Sequence, residues 1–267
     1  MKLSFMTFMT PDWSLEQIAA GAKECGYDGV EIRVGVNHKH GVELGASEAS
    51  LQRARDLLAT EELQLSCLAT SCSFATPEAA QRARNLDSLR KHLDLAAAVG
   101  AKRLRTFGGT KPAGLQQEAA IEIVAEDLKQ ACGQACRLGV TICLETHDDF
   151  SLGASVGKAL KLAACPCLAA NWDLMHPFNC GEPLPETWRW LKGKVQHVHV
   201  HDFVREDGKV RLVPVGTGLV PMAEQLKLLS ESGYQGFLSA EYWAELGPPE
   251  EALASNAKAM RALLASL

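Results

Sequence analysis

The chain has 267 residues, 47% of them hydrophobic, and a formal net charge of −5 at pH 7. This acidic balance argues against a nucleic-acid partner, because proteins that bind nucleic acid usually present a basic surface. The sequence contains no apolar run long enough to span a membrane, and its length fits one barrel of alternating strands and helices. We therefore expect a single cytoplasmic domain over residues 1–267.

The predicted strands are short β-rich segments that recur along the whole chain. The first of them opens the chain (MKLSFMTF), and its apolar run is too short and too interrupted for a signal peptide. Eight strands are predicted, over residues 3–8, 29–34, 63–70, 102–107, 140–145, 168–173, 195–201 and 236–241.

Helical segments separate these strands and carry recognisable start and stop signals. Ser14 and Gln17 have the spacing of a capping box. Thr76 followed by Pro77 predicts a helix with Thr76 as its N-cap and proline at the first helical position. Four glycines that soon precede a strand are expected to end helices: Gly26, Gly100, Gly139 and Gly233.

Strands and helices that alternate in this way predict an α/β fold, a single-domain (β/α)8 TIM barrel. A doubly wound sheet is the alternative, but no GxGxxG turn follows the first strand. In a barrel, the long connections over residues 35–46, 174–185 and 202–219 would lie on the face where active sites form. The last connection contains Gly216-Thr217-Gly218, at the usual phosphate region of such barrels, but this short turn does not by itself establish a phosphate site.

Potential metal ligands lie near the ends of four consecutive predicted strands. Three of these strands end at Glu145, Asp173 and Glu241. The strand over 195–201 has histidine at every second position, so one face would carry His197, His199 and His201. The spacing leaves open which of the three histidines would bind a metal.

A barrel would bring these strand ends around one pocket. One acidic residue at a strand end is commonly a helix cap or a solvated residue, but three carboxylates this close repel one another unless a cation lies between them. An oxygen-rich set with one imidazole suits Mn²⁺, Mg²⁺ or Co²⁺. The four strand ends together predict a divalent metal site.

Four motifs, in order, resemble those of the xylose isomerase-like TIM barrels, a family that includes sugar phosphate isomerases/epimerases and ketose 3-epimerases. They are LETH at 144–147, WDLMH at 172–176, HVHVHD at 197–202 and SAEYW at 239–243. The resemblance implies one bound Mn²⁺, with Mg²⁺, Co²⁺ and Zn²⁺ as alternatives, and the ligands Glu145, Asp173, His199 and Glu241. It also implies that Glu145 and Glu241 act as acid and base beside the carbonyl of a sugar or polyol, through an enediolate.

The resemblance assigns substrate contacts to further residues. His176 matches the histidine of the family's D-x-x-H segment, and Arg205 lies where the epimerases have a substrate-contacting arginine. His147 is a further candidate, Arg105 would bind substrate or neutralise acidic neighbours, and Glu31 would orient a ligand or a polyol hydroxyl. The candidate pocket walls are Phe8, Trp13, Phe178 and Trp243.

A barrel with these motifs is also compatible with other functions. A dehydratase acting on a keto-polyol would use the same metal and proton abstraction, followed by loss of a β-hydroxyl. Ser151 stands where the ketose 3-epimerases have an acidic residue, which argues against free ketohexoses as substrates. A non-catalytic sugar-binding barrel would not need all four ligands. An endonuclease IV-like enzyme would need further histidines, and the segment ATSCSFA at 69–75, into which the third strand runs, has none. The expected partners are a sugar or polyol and, as in many such barrels, a second copy of the chain.

The nine cysteines are scattered. Cys132 with Cys136 and Cys165 with Cys167 are the only clusters, and neither is a CxxC pair of the kind that zinc sites use. We therefore expect separate, reduced thiols and no cysteine zinc site.

Overall fold

The computed structural model of the protein describes residues 1–241 and 247–267. Eight parallel strands of this part of the chain form a barrel: β1 (Lys2–Met6), β2 (Gly29–Arg33), β3 (Gln64–Ala69), β4 (Arg103–Phe107), β5 (Thr141–Glu145), β6 (Leu168–Asp173), β7 (Val195–Val200) and β10 (Phe237–Ala240). The barrel closes in the order β1-β10-β7-β6-β5-β4-β3-β2. The predicted (β/α)8 TIM barrel is confirmed.

Helices surround the barrel and connect its strands. The helices of the described residues are α1 (Leu15–Glu24), α2 (Glu48–Thr60), α3 (Ala79–Val99), α4 (Gln117–Leu138), α5 (Gly153–Ala163), α6 (His176–Asn179), α7 (Leu184–Leu191), α8 (Met222–Glu231) and α9 (Pro249–Ala265). None of them is both long and apolar enough to cross a membrane.

The helix signals in the sequence are mostly confirmed. The Ser14 hydroxyl accepts from the Gln17 backbone N–H, and the Gln17 side chain accepts from the Ser14 N–H, which completes the capping box. Gly100 and Gly139 end α3 and α4 with φ of 85° and 65°, a left-handed conformation that favours glycine. The predicted start of α3 at Thr76 is wrong, because the backbone there turns first and Thr76 accepts from the Glu78 N–H before the helix begins.

A β-hairpin follows β7 where a loop was expected. Its strands β8 (Asp202–Glu206) and β9 (Lys209–Val213) pair antiparallel outside the barrel. Asp207 and Gly208 form the turn with φ of 51° and 77°, and Asp-Gly is a preferred pair for tight hairpin turns with positive φ. The Asp-Gly pair in the sequence is therefore a hairpin signal, although the prediction of eight barrel strands did not include a hairpin.

One continuous apolar core joins the barrel to its helices. Its largest fully buried side chains include Phe5, Phe74, Phe150 and Trp172. Backbones approach closely at Gly29, where a β-carbon would collide with the Gln64 carbonyl and the Phe237 ring. This packing makes the barrel a filled and rigid support for the side chains at its mouth.

Candidate metal centre

Strand register brings the four predicted ligands together at the carboxyl ends of the strands. Asp173 on β6 is level with His199 on β7, and His199 is level with Ser239 on β10. Glu241 lies two residues beyond Ser239, so its side chain points to the same side of the sheet as that of Ser239. Glu145 ends β5, one position along the ring from β6.

The ligand atoms of these residues form a compact cluster. Glu145, Asp173, His199 and Glu241 each offer one donor atom, and these atoms lie within 4.8 Å of one another. His199 Nδ1 is 2.9 Å from Glu145 Oε1 and 3.2 Å from Glu241 Oε1. Glu145, Asp173 and His199 are buried, whereas the Glu241 side chain is 14% exposed and faces the mouth. The cluster is therefore closed below and open toward solvent.

The negative charge of the clustered carboxylates favours binding of a cation. Burial alone would lower the pKa of His199, but the three surrounding carboxylates of Glu241, Glu31 and Glu145 raise that pKa well above its usual value. Glu145 Oε2 is buried and accepts no hydrogen bond from the described residues, although Arg105 Nε lies 3.1 Å from it. A divalent ion would satisfy this oxygen and replace the proton on His199, so the donor set fits such an ion.

Glu31 on β2 supports His199 from the side opposite the carboxylate ligands. Its carboxylate lies 3.1 Å from His199 Nε2 and 2.8 Å from His197 Nε2. Because a carboxylate only accepts, each Nε2 donates its proton to Glu31, and Nδ1 of His199 is left to face the cluster. The three strand histidines thus have different environments, since His197 contacts Glu31 below the cluster and His201 contacts Asp173 above it.

Arg105 on β4 pairs with a ligand. Its Nε lies 3.1 Å from Glu145 Oε2, its Nη1 donates to the Thr70 carbonyl, and its guanidinium stacks on the Phe107 ring. Burial raises the pKa of Glu145, but the charges of His199 and Arg105 outweigh burial and lower that pKa to about 2. Of the two functions predicted for Arg105, the geometry matches neutralisation of an acidic neighbour.

A row of imidazoles lies at the mouth beside the cluster. The rings of His147 and His176 are 4.5 Å apart between centroids, and those of His176 and His201 are 5.4 Å apart. His201 Nε2 donates to Asp173 Oδ2 at 2.7 Å. Burial lowers the pKa of His201, but the Asp173 carboxylate raises it to about 9. Hence His147 and His176, two predicted substrate contacts, adjoin the cluster.

Arg205 lies farther out than the other predicted site residues. It is exposed on β8, and its guanidinium donates to the carbonyl and the side-chain oxygen of Asn179 at the end of α6. These hydrogen bonds join the hairpin to α6, and no contact between Arg205 and the cluster is seen among the described residues.

The predicted pocket walls have different locations. Phe178 is 37% exposed and lies near Phe203, with the ring centroids 6.1 Å apart. Trp13 packs over Gly21 of α1. Trp243 lies outside the described residues.

Two residues near the cluster, Arg33 and Asn171, were missed by sequence reasoning. Arg33 ends β2 and donates to the carbonyls of Val34 and Ala69; burial and the charge of Arg105 lower its pKa to about 10. Asn171, two residues before Asp173, lies with its amide nitrogen 3.1 Å from His199 Nδ1. Because side chains alternate along a strand, Asn171 points into the barrel as Asp173 does. An amide carries no charge, so the residue type alone did not indicate a site residue.

Asp202, the aspartate that ends the HVHVHD motif, contacts the glycine turn. Its carboxylate accepts from the backbone N–H groups of Gly216 and Gly218 at 3.0 and 2.8 Å, and from that of Val220 at 3.1 Å. The glycine turn at the usual phosphate region therefore already holds an anion from the chain itself.

Comparison with known proteins places the chain in a family. Residues 19–263 match the sequence model of the family described as xylose isomerase-like TIM barrel, and the chain belongs to that family. The predicted resemblance is confirmed.

Curated and solved relatives are similar over nearly the whole chain. Fructoselysine 3-epimerase of Escherichia coli O157:H7 is 24% identical over 255 residues, which cover 90% of each chain. The structure of the IOLI protein with a bound zinc atom superposes with a TM-score of 0.86 at 18% identity, covering 100% of this chain and 99% of that chain. The structure of AsbF from Bacillus anthracis, a probable 3-DHS dehydratase of petrobactin synthesis, gives a TM-score of 0.79 at 20% identity, with 98% and 99% coverage. At these identities the two structures establish a shared fold.

Proposed function

We propose that the protein is a divalent-metal-dependent isomerase or epimerase of a sugar or sugar derivative, which moves a proton beside a carbonyl through an enediolate. The observation that carries this proposal is the convergence of Glu145, Asp173, His199 and Glu241 within 4.8 Å at the barrel mouth. The similarity to fructoselysine 3-epimerase over 90% of each chain supports the reaction class.

The four residues would hold one ion, for which we propose Mn²⁺ because three of the four donors are carboxylates. Zn²⁺ is the next candidate, since the similar IOLI protein has a bound zinc atom. A divalent ion at this position would polarise the substrate carbonyl and stabilise the negative charge of the enediolate.

Glu145 and Glu241 would exchange the proton. Glu145 ends β5 and Glu241 follows β10, and these strands are separated in the ring by β6 and β7, so the two carboxylates approach the cluster from different sides. The low pKa of Glu145, about 2, keeps it ionised and ready to accept a proton. Part of that lowering comes from the charge of His199, and a bound divalent ion would take over this effect, so Glu145 would act as a base once the substrate shares or displaces its bond to the ion.

The remaining residues would position the substrate. We propose that His147 and His176 bind hydroxyl groups of the sugar, because their rings adjoin the cluster at the mouth. Arg205 would contact the outer part of a larger substrate from the hairpin. Arg105 and Glu31 would act through the ligands, by fixing Glu145 and His199 respectively.

Solvent isotope exchange tests the proposal. The protein, supplied with Mn²⁺ in D₂O, is incubated with ketoses, keto-inositols and 3-keto-glycosides, and NMR follows deuterium entering the carbon beside the carbonyl. We expect exchange or epimerisation with the wild type, loss of both in Glu145→Gln and Glu241→Gln, and retention in Glu206→Gln, an exposed glutamate on the hairpin. Full activity of either cluster variant would disprove the assigned roles.

A dehydratase on a keto-polyol is the second candidate. It needs an acid for the departing hydroxyl, and His201, whose Nε2 donates to Asp173 Oδ2 at 2.7 Å beside the cluster, is a candidate for that acid. The same NMR experiment separates the two reactions, because a dehydratase yields a product that has lost water and an epimerase does not.

A further inference from the structure

Four cysteines at the outer helices are already bonded to one another. The structure joins Cys132 to Cys165 and Cys136 to Cys167 in disulfides, at Cα separations of 6.2 and 5.5 Å. The expectation of separate thiols is therefore wrong for these four residues. It failed because the partners are 33 and 31 residues apart in the chain, and only the packing of α4 on α5 brings them together. Bonded in this way, the four sulfurs offer no thiolate to a ligand.

Arg33, at the end of β2, is a cation without a carboxylate partner among the described residues. Its Nη1 donates to the carbonyls of Val34 and Ala69 at 2.6 and 3.1 Å, and its Nη2 donates to the Ser71 hydroxyl. These bonds go to neutral groups and use three of the five N–H donors of a guanidinium. The Nε–H and one Nη2–H are left without an acceptor among the described residues, and a carboxylate can accept from both nitrogens at once.

The side chain of Arg33 lies above Glu31, nearer to the barrel mouth. The two residues are two positions apart on β2 and so point to the same side of the sheet. The Glu31 carboxylate reaches across the barrel to within 3.1 Å of His199 on β7. In the ring, β2 lies four places from β6, the strand that ends at Asp173, so the two strands are opposite one another. A substrate held by its carbonyl at the metal centre would therefore extend toward Arg33.

The charges around Arg33 favour an anion. Burial and the charge of Arg105 lower the pKa of Arg33 to about 10, so the guanidinium is still charged at neutral pH. The nearby carboxylates have other partners, since Glu145 is paired with Arg105 at 3.1 Å and Glu241 is a proposed metal ligand. Glu43 accepts from a backbone N–H of its own loop. An anion from outside the chain would pair with the guanidinium and offset the repulsion between the two arginines.

We propose, resting on the proposed isomerase or epimerase function, that Arg33 binds a carboxylate group of the substrate, so that the site takes keto sugar acids. A carboxylate fits better than a phosphate, because Asp202 fills the glycine turn at the usual phosphate region. The guanidinium also offers a single planar fork, which matches the two oxygens of a carboxylate. Ser71 is exposed beside the guanidinium, and its hydroxyl would donate a further hydrogen bond to the anion.

Equilibrium binding of two matched sugars tests the assignment. D-Fructuronate and D-fructose differ only in the carboxylate that replaces the terminal hydroxymethyl group, and calorimetry measures the affinity of the Mn²⁺-loaded protein for each. We expect the wild type to bind D-fructuronate about ten- to one-hundredfold more tightly than D-fructose, the range for hydrogen bonds to a charged group. Arg84→Met, which removes an exposed arginine of α3, is the matched control and should keep this preference.

Two substitutions of Arg33 should change the preference. In Arg33→Met it should disappear while the affinity for D-fructose is unchanged, and circular dichroism verifies that the variant is folded. Arg33→Lys keeps the charge but not the planar fork, so it should lose part of the preference; it replaces the methionine variant if that protein does not fold.

Three results would overturn the assignment of Arg33. They are a wild type that binds D-fructuronate no more tightly than D-fructose or binds neither, a preference that both Arg33 variants retain in full, and tighter binding of D-fructose 6-phosphate than of D-fructuronate. Binding does not require turnover. An Arg33-dependent preference without any deuterium exchange would therefore support the carboxylate site and refute the proposed reaction, whereas exchange without the preference would refute the carboxylate site alone.

Discussion

The carboxylate of Glu31 fixes the orientation of the proposed histidine ligand, and removing its charge should weaken metal binding. Glu31 is fully buried and accepts from Nε2 of His199 at 3.1 Å and of His197 at 2.8 Å. In Glu31→Gln one oxygen still accepts, but the amide nitrogen faces the other ring and donates. One of the two imidazoles must then change tautomer or lose its hydrogen bond. A change of tautomer at His199 would place a proton on the nitrogen that faces the cluster.

The size of the effect follows from the bond that is lost. A hydrogen bond to a charged group contributes about 1.5–3 kcal/mol, and partners of metal-ligating histidines are worth about 10- to 100-fold in metal affinity. The two ranges agree, because a tenfold change corresponds to about 1.4 kcal/mol. We expect Glu31→Gln to bind Mn²⁺ between about ten and one hundred times more weakly than the wild type.

Isothermal titration calorimetry of the metal-free protein with Mn²⁺ measures this affinity. Asp127→Asn is the matched control, since Asp127 is also a buried carboxylate but pairs with Arg82 on the outer helices. The control should bind Mn²⁺ as the wild type does. A folded Glu31→Gln protein whose affinity is within twofold of the wild type would refute the reasoning.

Four further variants test charge pairing and packing in the barrel by urea unfolding. Arg105→Met in the metal-free protein should lower the free energy of unfolding by about 1–3 kcal/mol, because Glu145 Oε2 loses its buried ion-pair partner while Oε1 keeps His199; an unchanged free energy of unfolding would contradict the proposed pairing. Asp202→Asn should cost about 1–3 kcal/mol, because the carboxylate that accepts three backbone N–H groups loses its charge; an unchanged midpoint would contradict this. Gly29→Ala should destabilise by about 1–3 kcal/mol through collision with the Gln64 carbonyl, whereas Gly133→Ala, inside α4 beside only a flexible arginine, should stabilise by up to about 1 kcal/mol.

Local periodicity was sufficient to predict the barrel. Every predicted barrel strand corresponds to an observed one, with ends that differ by at most two residues. The reason is that a strand buried between barrel interior and helices needs a short apolar run, and the helix stops need glycine, as at Gly100 and Gly139. The hairpin after β7 was not predicted, although Asp207-Gly208 is a local turn signal, because its two strands pair with each other outside the barrel and do not follow the alternation of strand and helix.

The sequence by itself determined that an acid ends β5, β6 and the β10 segment and that histidines alternate along β7, because facing in a strand follows from position alone. Only the tertiary structure decided how these groups pair. It placed Glu31 against His197 and His199, Arg105 against Glu145, and Asp202 inside its glycine turn. It also united the cysteines of α4 with those before β6. These contacts join strands and loops far apart in the chain, and they depend on barrel stagger and helix packing, which no local pattern encodes.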